Sequence, residues 1–146
     1  MILDPTDETQ IRHQRELWKA AFEAGDVERI MSLYAPGAET VAFDILPPLR
    51  FDGWDAYKND WVHFLKLFDG NPKVEVQDLK ITSSGEVAFI HGLVRLTGSM
   101  QGRPLDLWMR ATNGLRKIDG TWLVVHDHVS VPVDITTGKS AMNLKP

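Results

Sequence analysis

Residues 105–133, LDLWMRATNGLRKIDGTWLVVHDHVSVPV, alternate apolar and polar side chains on either side of Asp119-Gly120. Period-two alternation marks a half-buried strand, and Asp-Gly between two such runs is a strong signal for a two-residue hairpin. The stretch reads as two antiparallel strands, Leu105–Ile118 and Thr121–Val133. Working back along the chain, the same period covers Lys73–Thr82 and Glu86–Thr97. Ser84-Gly85 separates these two, and the turn-rich segment from Gly98 to Pro104 leads into the next strand. A four-stranded meander is expected after Pro72.

Before Pro72 the period is helical. Ile11, Leu17, Trp18, Ala21 and Phe22 form one apolar stripe. Asp4 suits the N-cap, Pro5 the first helical position, and Asp7 and Glu8 the positive end of the helix dipole. Gly25 ends this helix. Asp26 caps a short second one through Ile30, Leu33 and Tyr34, closed by Pro36-Gly37. Thr40 to Asp44 reads as a short strand and Pro47-Pro48 as a loop. A third helix begins near Asp52 or Gly53 and carries Trp54, Tyr57, Trp61, Phe64, Leu65 and Phe68; Gly70-Asn71-Pro72 stop it. Asp134 to Pro146 reads as an irregular tail. Helices followed by an antiparallel meander define an α+β domain, a single one over residues 1–146.

Composition narrows the function classes. With 43% hydrophobic and 25% charged residues, the 146-residue chain is globular and long enough to bury its own core. It has no cysteine, which excludes disulfides and a thiolate metal site. The net charge is −4 and the basic residues are scattered, which argues against a nucleic-acid partner. No apolar run is long enough to span a membrane, and the N-terminus is acidic where a secretory signal is basic. The expected location is the cytoplasm.

Residues 17–44, LWKAAFEAGDVERIMSLYAPGAETVAFD, resemble the opening of nuclear-transport-factor-2-like proteins. That superfamily includes ketosteroid isomerases, SnoaL-like polyketide cyclases and limonene epoxide hydrolases. Residues 106–132, with Asp-Gly-x-Trp followed by His-x-His-x-Ser-x-Pro, look like the SnoaL-like subgroup and are also similar to the association domain of calmodulin-dependent protein kinase. The resemblance implies a cone-shaped barrel. Three N-terminal helices would pack on a strongly curved, mostly antiparallel sheet that encloses a pocket. It also implies homodimers through the outer face of the sheet. One such fold hosts many functions.

The candidate site residues follow from strand faces and from the resemblance. In the last strand, Leu123, Val125, Asp127, Val129 and Val131 share a face that is apolar apart from one acid, as expected of a face turned to the helices. Alignment with ketosteroid isomerases turns the same face inward. Asp127 would then be a carboxyl in an apolar cavity, its pKa raised by desolvation and suited to moving protons. The arginine-bearing strand of the kinase association domain implies that Arg95 points into the pocket, on a face shared with Phe89 and His91. The isomerases further imply pocket positions for Trp18 and Asn113, and put a general base at Phe43 or Asp44. Their triad is not reproduced, because the tyrosine position holds Trp18 and the second acid position Asn113. The epoxide-hydrolase pattern is met by Arg95 and Asp127 but not by Thr97, which stands in place of an acid. Phe22, Tyr34, Trp61, Met109, Val125 and Val129 complete the expected ligand wall. His126 and His128 lack a third ligand at a recognisable spacing, so no metal site is expected.

Three readings follow. The first is a cofactor-independent isomerase, cyclase or hydrolase. It would act by acid–base chemistry on a small apolar oxygenated compound, with Asp127 or Asp44 moving a proton and Arg95 orienting an oxygen. The second is a non-catalytic ligand-binding or oligomerisation module. The third is an epoxide-opening enzyme using Asp127 and Arg95.

Overall fold

The computed structural model describes residues 5–146. The expected N-cap, Asp4, lies outside them. Helix α1 spans Pro5–Glu23, α2 Val27–Met31 and α3 Trp54–Leu65. The strands are β1 (Val41–Phe43), β2 (Phe51–Asp52), β3 (Lys73–Ser84), β4 (Val87–Met100), β5 (Arg103–Ile118), β6 (Thr121–Ser130), β7 (Val133–Asp134) and β8 (Lys139–Ser140).

Local chemistry accounts for the helix ends. Gly25 adopts a φ of 65° after α1, so that its N–H bonds Phe22 and that of Asp26 bonds Ala21, both at 3.0 Å. This left-handed closure of a helix is one that glycine makes without strain. The Asp26 carboxylate accepts from Arg29 N–H at 3.1 Å and starts α2.

Strands β1 to β6 form one sheet in the order β2-β1-β6-β5-β4-β3, antiparallel throughout except for the β1–β6 pair. The fold is α+β, three helices on a curved sheet, but the sheet is open and not a closed barrel. Register shifts at Gln77/Lys80 and at Gly114/Leu115 bend the ladder, as bulges do. Two hairpins turn through paired positive φ angles: Gln101 and Gly102 (52° and 76°), and Asp119 and Gly120 (50° and 80°). The first corrects the sequence reading of a loop at 98–104, since β4 and β5 run on until only two residues separate them. The tail is not wholly irregular either, because β7 and β8 pair as a small hairpin.

Polar ties set the helices over the concave face. Lys117 Nζ and Trp122 Nε1 both donate to Asp7 Oδ1, at 3.0 and 3.2 Å, pinning the first turn of α1 to the sheet. Glu23 accepts the Val74 N–H at 3.0 Å and fastens the other end of α1 to β3. Trp54 Nε1 donates to the Met31 carbonyl at 2.9 Å, joining α3 to α2. Ile11, Ile30, Met31, Val74, Ile90, Leu115 and Val124 are fully buried between the layers. No helix among the described residues is long and apolar enough to cross a membrane.

Candidate functional site

The layers do not fill the cone. A cavity of about 250 Å³ remains between α1, α3 and the inner sheet face. Its wall is chiefly apolar: Phe22 from α1, Trp61 and Phe64 from α3, and Val94, Leu96, Met109, Ala111 and Val129 from the strands. Into this wall the sequence sets Arg15, Asp44, Tyr57, Asp60, Asn113 and Asp127. A wider groove adjoins it and shares Asp44, Ile45, Phe64, Leu96 and Val129.

Asp127 is the centre of a buried network. Its Oδ2 accepts from Tyr34 Oη at 2.6 Å and from Tyr57 Oη at 2.8 Å. Its Oδ1 accepts from Asn113 Nδ2. Burial pushes the Asp127 carboxyl above its ordinary range, against the pull of Tyr34, Arg15 and Tyr57 toward the ionised form. Both tyrosine hydroxyls are raised well above theirs, by burial first and then by the Asp127 charge. They stay protonated and donate.

A second acid centre lines the same cavity. Asp44 follows β1 directly, and its Oδ1 accepts from the Ile45 N–H at 2.8 Å. Its carboxyl hydrogen-bonds that of Asp60, a residue of α3 only 6% exposed. Burial and then the Asp44 hydrogen bond and charge raise Asp60 to about 8. Two carboxyls in contact retain a proton between them because two adjacent negative charges in an apolar site repel.

Arg15 is held from two sides. Its Nε donates to Gln14 Oε1 at 2.7 Å and its Nη1 to Asn113 Oδ1 at 3.4 Å, while the guanidinium lies 5.4 Å from the Trp18 ring centroid. Its Nη2 is buried without an acceptor, as are the indole nitrogens of Trp18 and Trp61.

The sequence-derived candidates divide into two groups. Trp18, Phe22, Asp44, Trp61, Met109, Asn113, Asp127 and Val129 line the cavity together. Tyr34 is buried behind Asp127 and holds it without reaching the cavity wall. Arg95, Phe89 and His91 are corrections: all three lie on the outer face. Burying Ala88, Ile90, Val94 and Leu96 fixes the register of β4, which turns the odd-numbered residues outward. There Arg95 makes a bidentate pair with Asp106, at 2.9 and 2.8 Å, and lies over Trp108. The arginine–acid pairing implied by epoxide hydrolases is therefore not formed, since Arg95 and Asp127 are on opposite faces. Phe43 is also outside, 37% exposed and edge-on to His126 and His128. Val125 has no partner in the β5–β6 ladder. This bulge puts Trp122, Val124, Asp127 and Val129 on one face and leaves Val125 out of the cavity wall. His126 and His128 face outward, and among the described residues no cluster of three His, Cys, Asp or Glu side chains is placed to hold a metal.

Arg15, Tyr57 and Asp60 were not among the sequence candidates. Their signal was present in the helical spacing. Tyr57, Asp60, Trp61 and Phe64 stand at i, i+3, i+4 and i+7, and Arg15 shares a face with Ile11, Trp18 and Phe22. A charge within an apolar stripe is the informative observation.

The sequence model of the SnoaL-like domain matches residues 11–134. No curated protein sequence matches the chain. Among solved structures, a nuclear-transport-factor-2-like protein of unknown function from Pseudomonas putida is 33% identical, covers 99% of this chain and 100% of its own, and superposes with a TM-score of 0.89. A provisionally named dehydratase of the same superfamily from Streptomyces avermitilis is 17% identical, with 86% and 95% coverage and a TM-score of 0.76. A provisionally named scytalone dehydratase from Novosphingobium aromaticivorans is 16% identical, with 85% and 83% coverage and a TM-score of 0.74. At the last two identities the likeness is one of fold. The match across the first helix, the meander and the strand that carries Asp127 makes this chain a member of the SnoaL-like family of nuclear-transport-factor-2-like proteins.

Proposed function

We propose that the chain is a cofactor-independent enzyme that moves protons on a small, largely apolar, oxygen-bearing compound held in the cavity. The observation that carries this reading is the Asp44–Asp60 pair. Within one apolar wall it sets two carboxyls side by side, of which Asp60 keeps its proton near neutral pH. Isomerisation and elimination of water both need an acid and a base within reach of one substrate. The provisional names of two fold neighbours are dehydratases, which agrees with elimination. Asp127 has all three of its neighbouring donors already bonded to it, so its role is to fix Tyr57 and Asn113 against the substrate.

The reading extends to assembly and location. The exposed apolar side chains Val87 and Phe89 on the outer sheet face support a homodimer through that face. The cytoplasm is the proposed location.

The test is a thermal-shift screen against β-hydroxy ketones, terpenoid epoxides, steroids and aromatic acids, followed by turnover assays on whatever stabilises the fold. Asp44→Asn and Asp60→Asn are expected to lower turnover by on the order of 100-fold or more, the usual contribution of a general acid or base. Full turnover in both variants would remove the acid–base reading.

A further inference from the structure

We propose that the cavity takes its ligand as a carboxylic acid, with the carboxylate seated against Arg15 and the indole N–H groups of Trp18 and Trp61. This rests on the reading of the cavity as a ligand site and names the class of compound.

Three buried N–H donors without acceptors occur in one side-chain cluster: Arg15 Nη2, Trp18 Nε1 and Trp61 Nε1. Trp18 bridges the other two, with its ring 5.4 Å from the guanidinium carbon and 6.3 Å from the Trp61 ring. A buried donor left unpaired is costly, and more so when it belongs to a half-buried cation such as Arg15. Such groups persist where something else supplies the acceptor.

The charges in the wall point the same way. From α1, Arg12, Arg15, Glu16 and Lys19 line the cavity and its mouth. Arg12 is paired with Glu8 at 2.9 Å and Lys19 with Glu23 at 3.0 Å. Arg15 makes no ion pair with a carboxylate among the described residues; it touches Asp127 through the Asn113 amide and otherwise acts on it by charge across the gap. The acids that face it from other elements are Asp44 after β1, Asp60 on α3 and Asp127 on β6. Asp44 and Asp60 bond each other, and Asp127 is held by Tyr34, Tyr57 and Asn113. Among the described residues that line the cavity, Arg15 is the cation without a salt bridge and is open to a ligand anion. A planar carboxylate suits a guanidinium edge, and indole N–H groups add neutral donors beside it. The apolar remainder of the acid would lie on Phe22, Phe64, Val94 and Met109, which put its carbon atoms toward Asp44 and Asp60.

The experiment compares benzoate and cyclohexanecarboxylate with their primary amides and alcohols by isothermal titration at pH 7. It uses the wild-type protein, Arg15→Met, Arg15→Gln and Trp18→Phe, each checked for an unchanged circular dichroism spectrum. The wild type is expected to prefer each acid over its amide by at least tenfold. Both Arg15 variants should weaken acid binding by roughly 30-fold or more, as loss of one partner of a charge pair does, and amide binding, which loses only a neutral acceptor's hydrogen bond, by no more than a few-fold. Trp18→Phe removes one neutral donor and should cost the acid a few-fold. Equal binding of acid and amide by the wild type, or acid binding untouched in a folded Arg15 variant, overturns the carboxylate assignment and leaves the ligand-site reading intact. Binding of none of the acids, amides or alcohols overturns both.

Discussion

The Asp44–Asp60 pair makes stability depend on pH in a direction opposite to that of most surface acids. Asp60 has an ordinary value of 3.8 and is raised to about 8 in the fold. A carboxyl whose folded value is raised contributes stability that is fully present below the unfolded value and lost as pH rises through the folded one. Between those values, a window about four pH units wide, the unfolded chain has released the proton and the folded chain still holds it. Stability then falls by about 1.4 kcal/mol for each pH unit within that window. A domain's whole stability is only about 5–15 kcal/mol, so the slope is measurable. Asp60→Asn should remove it, because the amide still donates to Asp44 and has no proton to lose. Urea unfolding followed by tryptophan fluorescence at pH 5, 7 and 9 provides the assay. The expected result is a gap between variant and wild type that widens in favour of the variant from pH 5 to pH 9. Ionisable groups common to both proteins cancel in the difference. A gap that stays constant from pH 5 to pH 9 would refute the shared proton.

Four further outcomes are expected. Asp127→Leu strands the Tyr34 and Tyr57 hydroxyls and the Asn113 amide, all buried, and should cost about 3–9 kcal/mol in urea denaturation at about 1–3 kcal/mol for each stranded group. Arg95→Ala should leave ligand affinity unchanged in titration, because that side chain pairs with Asp106 on the outer face. Phe89→Asp should shift sedimentation velocity from dimer to monomer if the outer face is the interface, and an unchanged sedimentation coefficient would count against it. Gly25→Ala puts a methyl group 2.7 Å from Asn71 Oδ1 at a φ of 65° and should lower stability by at least about 1–2 kcal/mol, the cost of the left-handed conformation alone.

The strands were legible wherever one face was apolar and the turn carried its own residues. Asp119-Gly120 announced its hairpin, and Asp26 its helix. Gln101-Gly102 makes the same kind of turn without the same signal, because glutamine rarely takes a positive φ. The β4 face was ambiguous for a physical reason. Phe89 and Leu93 alternate with Ala88, Ile90, Val94 and Leu96, so both faces carry apolar side chains. Only the packing of α1 and α3 decides between them, and that is not a local property. The bulge at Val125 has no mark in the sequence, yet it moves Asp127 onto the face of Trp122 and Val124. Asp44 and Asp60 are separated by a loop, β2 and the first turns of α3, and nothing along the chain pairs them.

The two acid centres differ in what their oxygens have left to offer. A carboxylate acts as a base through a free lone pair directed at the substrate, and as an acid through a proton it has kept. Asp127 receives two hydroxyls on one oxygen and an amide on the other. Abstracting a proton there would mean displacing a buried hydrogen bond, so its raised pKa reflects burial more than readiness to react. Asp60 keeps its proton beside the Asp44 carboxyl, and both residues line the cavity. Passing that proton to a substrate, and taking another in return, requires no rearrangement of the core. Of the two, the pair formed between a strand end and a helix is better suited to turnover. The solitary acid on the last strand is better suited to holding the wall in shape.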